Sequence, residues 1–177
     1  ALSKCIAQKV QFIATILHQP DLIIIDEPFS GLDPVNTQIL KDLLYDMSKE
    51  GRTVVMSTHQ MPQIEEMANR MLMISKGKRV LYGPVQEIRE QYAENAVIVD
   101  GEGNWETLPG VAHISNGKSN GTIILHLKTD TTPDDVMQAI AVGDFQIKRF
   151  ELAIPGLEEI FIRVVGGETN QEERMSE

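Results

Sequence analysis

Four consecutive aliphatic residues, Leu22-Ile23-Ile24-Ile25, run straight into Asp26-Glu27-Pro28. A run this short and this apolar predicts a strand buried on both faces, as inside a parallel sheet. It cannot cross a bilayer, which takes about 20 apolar residues. Its two terminal carboxylates then sit at the carboxyl edge of the sheet, where open α/β folds bind ligands. A strand-end Asp at such an edge can hold Mg²⁺, directly or through water, beside nucleotide phosphates. The adjacent Glu can orient an attacking water or accept its proton. Taken alone, an acidic pair after a strand also describes a solvated turn, so the neighbouring elements matter.

Upstream, Ser3 is a good N-cap, and Ile6, Val10, Ile13, Ala14 and Leu17 recur at helical spacing. Residues 4–18 are therefore predicted as an amphipathic helix, broken by Pro20-Asp21. Downstream, Asp33-Pro34 restarts a helix with Asp as N-cap and Pro at the first helical position. Ile39, Leu40, Leu43, Leu44 and Met47 give that helix an apolar face, and Gly51 ends it. A strand is predicted over 53–58 and a short helix over 60–68. A hairpin follows over 71–83, turning at Lys76-Gly77-Lys78, and Pro84 opens a helix to about Tyr92. Strand–helix alternation implies a mostly parallel sheet, with the hairpin as its antiparallel edge.

The pattern changes near Glu94. Short strands over 97–99, 111–115 and 122–127 are separated by Gly, Asn and Ser turns. Thr132-Pro133-Asp134 caps a helix to about Val142, a strand covers 146–153, and Pro155-Gly156 opens a last helix. This describes an α+β module with Trp105 in its small core. From Gly166 the chain is polar and is expected to be disordered. The expected domains are 1–93, 94–165 and the tail 166–177.

Charge and cysteine content narrow the function classes. The 177 residues hold 16 basic and 26 acidic side chains, a net charge of −10. Such a chain is a poor candidate for gripping nucleic-acid phosphates with its whole surface. The acidity is uneven: residues 1–92 carry 10 basic and 11 acidic residues, and 93–177 carry 6 and 15. A single cysteine excludes an internal disulfide and a cysteine zinc cluster. His18, His59, His113 and His126 are scattered, without metal-ligand spacing. No charged-then-apolar leader opens the sequence, which predicts no signal peptide and fits a cytoplasmic protein.

Four elements now stand in one order: Leu2-Ser3-Lys4-Cys5-Ile6-Ala7-Gln8-Lys9, Ile23–Glu27, Ser30-Gly31-Leu32-Asp33, and Thr58-His59. Together they resemble the C-terminal part of an ABC-transporter nucleotide-binding domain, over about residues 1–92. The first looks like the signature motif, the second like Walker B with the catalytic glutamate, the third like the D-loop, and His59 like the H-loop histidine. The resemblance implies an ABC-type P-loop NTPase domain that dimerises head-to-tail around ATP. In that role Asp26 would coordinate Mg²⁺ through water, and Glu27 would polarise the hydrolytic water. His59 would contact the γ-phosphate, and Asp33 would couple the two sites across the dimer. Ser3, with Lys4 and Cys5 at the helix N-terminus, would meet the γ-phosphate of ATP on the other subunit. Free N–H groups and the helix dipole favour an anion there.

Residues 94–165 resemble the small C-terminal domain that follows the ATPase in many prokaryotic exporters with a separate membrane subunit; Pro155–Phe161 looks like its closing motif. The implied partners are a second nucleotide-binding domain and an integral membrane permease, with no nucleic acid. The implied location is cytoplasmic, peripheral on the inner face of the cell membrane.

Two departures matter. The pattern G-x-x-x-x-G-K-[ST] does not occur, and no Met precedes Ala1-Leu2-Ser3, so the chain is read as a piece that starts at the signature and is inactive alone. Cys5 stands where the signature has glycine, which lets backbone approach phosphate closely. Two other readings remain open at this point: a non-transport ABC ATPase, and a non-catalytic partner in an ABC heterodimer.

Overall fold

The computed structural model describes residues 4–117 and 121–174. They form two compact units, which divide between Asn69 and Arg70.

The first unit is α/β. Helix α1 (Lys4–Ile16) leads into β1 (Leu22–Asp26), α2 (Pro34–Lys49), β2 (Thr53–Ser57) and α3 (Met61–Met67). Strands β1 and β2 pair in parallel, from Leu22↔Thr53 to Asp26↔Ser57. Helix α2 starts as its sequence dictates: the Asp33 side chain accepts from Asn36 N at 3.0 Å, and Pro34 follows the cap. Leu44 and Met47 of α2 are buried, as are Ile23 of β1 and Phe29 of the loop after it.

Two expectations need correction here. Only one face of β1 is covered: Ile23 is 1% exposed, whereas Ile24 is 71% exposed. In a two-stranded sheet with helix on one side, the alternate side chains face outward, however apolar they are. Similarly, Ile6, Val10, Ile13 and Leu17, the apolar stripe of α1, are exposed in this chain. Periodicity identifies the helix correctly but does not by itself provide a surface to bury it against.

The second unit opens with β3 (Arg70–Ser75) and β4 (Lys78–Pro84), an antiparallel hairpin turning at Lys76-Gly77, followed by α4 (Val85–Gln91). The hairpin forms a two-stranded sheet. Then come β5 (Ala96–Glu102), a 3₁₀ turn at Trp105–Thr107, β6 (Val111–Asn116), β7 (Thr122–Leu127), α5 (Pro133–Val142), β8 (Gln146–Leu152) and α6 (Leu157–Arg174). Four of these strands make an antiparallel sheet in the order β6-β7-β5-β8. Its inner face supplies Val97, Val99, Leu125 and Leu127, which pack with Leu108 and with Val136 and Ile140 of α5. Trp105 packs against this core, its ring 5.1 Å from that of Phe145. Gly101 marks the irregularity between β5 and β8, because a Cβ there would lie 2.0 Å from the Gln146 carbonyl oxygen. On the β6–β7 pair, His113 and His126 stack with ring centroids 4.0 Å apart.

Helix α6 runs from Leu157 to Arg174.

Helix α5 carries a full capping box. The Thr132 hydroxyl accepts from Asp135 N at 3.3 Å, and Asp135 Oδ2 accepts from Thr132 N at 2.9 Å. Thr132→Ala is expected to cost about 1 kcal/mol of stability. Denaturant unfolding followed by the fluorescence of Trp105, the chain's one tryptophan, will measure it as a lowered midpoint.

Candidate functional site

The site lies within the first unit, where β1 and β2 end side by side. Parallel pairing in the register Asp26↔Ser57 brings the residues that follow β1 against those that follow β2. The ladder continues one step further, with Glu27 N donating to Ser57 O at 2.8 Å.

Asp26 is exposed at the sheet edge and accepts from Ser57 Oγ at 2.5 Å through Oδ1. Glu27 is turned away from the strand direction by a backbone φ of +45°. That left-handed conformation is uncommon for a residue with a side chain, and such residues cluster at functional sites. The turn places the Glu27 carboxylate against the end of β2, where it collects three hydrogen bonds. The His59 backbone N–H donates to Oε1 at 2.9 Å, and His59 Nδ1 lies 2.5 Å from the same oxygen. Thr58 Oγ1 donates to Oε2 at 3.2 Å. Facing a carboxylate, Nδ1 carries the proton, which leaves Nε2 as the acceptor in the neutral ring.

These contacts act on titration. The His59 ring hydrogen bond, first, holds the Glu27 carboxyl below its ordinary value of 4.5. Partial burial opposes it, and the His59 N–H, the His59 charge and the Thr58 hydroxyl reinforce it. A folded-state pKa that is depressed adds stability at pH above the unfolded value, and that stability fades as pH falls through the folded one. His59→Ala should therefore return the Glu27 titration toward 4.5. Carboxyl NMR across the acid range checks this, and an unmoved titration would remove His59 as the cause.

The remaining predicted residues fall elsewhere. Asp33 caps α2 with both carboxylate oxygens, one accepting from Asn36 N and the other from Asn36 Nδ2. Before it, Gly31 takes φ +77° to turn the loop. Ser3 lies outside the described residues, as do the side chains of Lys4 and Cys5, which form the first turn of α1. Sequence reasoning missed Ser57, the partner of Asp26. The signal was present, since pairing the two predicted strands in parallel from Leu22 and Thr53 sets Ser57 beside Asp26.

Among the described residues, no group of three His, Cys, Asp or Glu can by itself hold a metal. No helix among the described residues is long and apolar enough to cross a membrane.

A parallel β/α unit that carries Asp26 and Glu27 at a strand end, followed by an α+β module, makes this an α/β protein with an acidic sheet edge. Comparison with known proteins narrows the class. Residues 83–165 match the family described as "ATP-binding protein DrrA1-3-like, C-terminal domain". Residues 7–64 match "AAA domain, putative AbiEii toxin, Type IV TA system". An uncharacterized ABC transporter ATP-binding protein of Alkalihalophilus pseudofirmus is 37% identical over 93% of this chain and 62% of its own length. Another, of Bacillus subtilis, is 35% identical over 93% of this chain and 55% of its own. A Mycobacterium tuberculosis protein named as a fluoroquinolones export ATP-binding protein is 24% identical over 93% of this chain and 50% of its own. Over nearly all of its own length the chain is similar to part of the ATP-binding proteins of ABC transporters. It spans roughly three fifths of the length of the curated relatives it matches.

Proposed function

We propose that this chain is the signature-to-accessory-domain part of an ATP-hydrolysing subunit that powers a separate membrane permease in export. The observation that carries the reading is the Glu27–His59 pair, a carboxylate and an imidazole held 2.5 Å apart at the end of a parallel β pair. Glu27 would orient the attacking water. The same contacts that lower its pKa fix the carboxylate in place, suited to aligning and polarising water. His59, pinned by Glu27 through Nδ1, would offer its other ring nitrogen to the terminal phosphate. Asp26, steadied by Ser57, would hold Mg²⁺ through water, and the ion would neutralise developing phosphate charge. Asp33 would work across a head-to-tail dimer, and Ser3, Lys4 and Cys5 would face the ATP held by the second nucleotide-binding domain. ATP would therefore be held by two chains, and this chain alone would be inactive.

Export is supported by the M. tuberculosis relative, whose name states it and whose match covers 93% of this chain, accessory module included. The same reading puts the domain boundary near 93/94 and the protein on the cytoplasmic face of the cell membrane. The test is Mg²⁺-dependent ATP turnover by the full-length protein, together with calorimetry of this chain with MgATP. Absent turnover would overturn the ATPase reading, and tight binding by this chain alone would overturn the shared site.

A further inference from the structure

The four-stranded sheet of the second unit ends on β8, and among the described residues no strand pairs with its outer edge. Every residue of Gln146–Leu152 is exposed except the half-buried Phe150. Such an edge is a template for another strand. The register shows which backbone groups face outward. Ala153 N donates to Ala96 O at 3.0 Å, and the pairing runs on through Val97↔Leu152, Ile98↔Glu151, Val99↔Phe150 and Asp100↔Arg149. In an antiparallel ladder alternate residues direct their N–H and C=O to the same neighbour. Arg149, Glu151 and Ala153 therefore direct theirs at β5, and Phe150 and Leu152 direct theirs outward. The Leu152 carbonyl accepts from Ile154 N at 2.9 Å, which makes Phe150 the centre of the open edge.

Edge strands are commonly protected by charge that repels a second strand. The charges of β8 alternate in sign along one face instead. Arg149 and Glu151 lie two residues apart and pair at 2.6 Å. We propose that β8 pairs with β8 of a second copy of this chain, antiparallel about a two-fold axis at Phe150, joining two four-stranded sheets into one. In a two-fold strand pair one residue lies opposite its own copy, and that choice fixes every other pair. Centring on Lys148, Arg149 or Glu151 sets like charges against each other. Centring on Phe150 sets the two rings together and places Arg149 opposite Glu151 of the partner subunit, twice. The result is a closed quartet of alternating charges on one face and an aromatic pair on the other, both favourable cross-strand contacts. Lys148 sits at the register shift between the Arg149 and Ile147 pairs, outside the quartet. The inference rests on the second unit alone and needs no nucleotide.

The test uses the full-length protein without nucleotide, in sedimentation velocity and amide hydrogen exchange. A concentration-dependent dimer is expected, with Phe150 amide protection rising alongside it. Arg149→Glu should weaken dimerisation about tenfold by replacing both cross-strand attractions with repulsions. Arg149→Glu combined with Glu151→Arg should restore it. Lys148→Glu, with the same change in net charge at the unpaired bulge residue, should leave it intact. A monomer at every attainable concentration would overturn the proposal. So would a dimer indifferent to Arg149→Glu, one weakened equally by Lys148→Glu, or failure of the double swap to rescue.

Discussion

Glu27→Gln in the full-length protein is expected to slow ATP turnover by about 10²–10⁴-fold, the usual contribution of a positioned acid–base group. The substitution is close to isosteric. Its amide oxygen can still accept from the His59 N–H, which lies 2.9 Å from Oε1, and its amide nitrogen can meet the Thr58 hydroxyl, 3.2 Å from Oε2. The positive φ of Glu27 belongs to the backbone and is retained. What is lost is the negative charge that aligns and polarises water. Binding should then survive while the chemical step fails, so the ATP-bound dimer should accumulate. Steady-state turnover and gel filtration in MgATP measure the two halves of this expectation. Unchanged turnover would refute the role assigned to Glu27, whereas lost binding would point to a structural role for the carboxylate.

The legibility of this site in the sequence was uneven. Asp26 and Glu27 could be placed at a sheet edge because a short aliphatic run predicts a strand and the two acids end it, and the neighbouring elements weighed against a plain solvated turn. His59 was reached through the order of motifs. The bond between Glu27 and His59 was not visible at that level, because it depends on strand register and on the left-handed turn at Glu27. Neither follows from composition or spacing. Ser57 was missed because a serine inside a strand signals nothing by residue type; only pairing the two predicted strands in parallel sets it beside Asp26. The caps were easier. Asp33-Pro34 and Thr132-Pro133 start helices through contacts within four residues, so local sequence suffices. Burial was the weakest inference. The apolar stripe of α1 and the outer face of β1 are exposed in this chain, because burial is decided by what packs against an element and not by its own pattern. The β3–β4 hairpin was legible for the same local reason as the caps, through its turn at Lys76-Gly77.

The largest stability effect should come from Leu125→Ala. Leu125 is fully buried on β7, an interior strand hydrogen-bonded to β5 on one side and β6 on the other. It belongs to the cluster of Val97, Val99, Leu108, Leu127, Val136 and Ile140 that joins the sheet to α5. Truncation removes apolar burial and leaves a void that a strand held on both edges cannot close, so the cost should be about 2–5 kcal/mol. A domain has only about 5–15 kcal/mol in total, so this single change should consume much of its margin. Trp105 packs against the same cluster, so its fluorescence reports the unfolding of this module directly. The midpoint should fall with the denaturant slope unchanged, the signature of lost stability rather than an altered unfolded state. Val142→Ala is the matched control: it shortens an aliphatic side chain at the end of α5 that is 90% exposed. Its effect should stay within about 0.5 kcal/mol. A Leu125→Ala effect no larger than the control would mean that this cluster does not hold the module together.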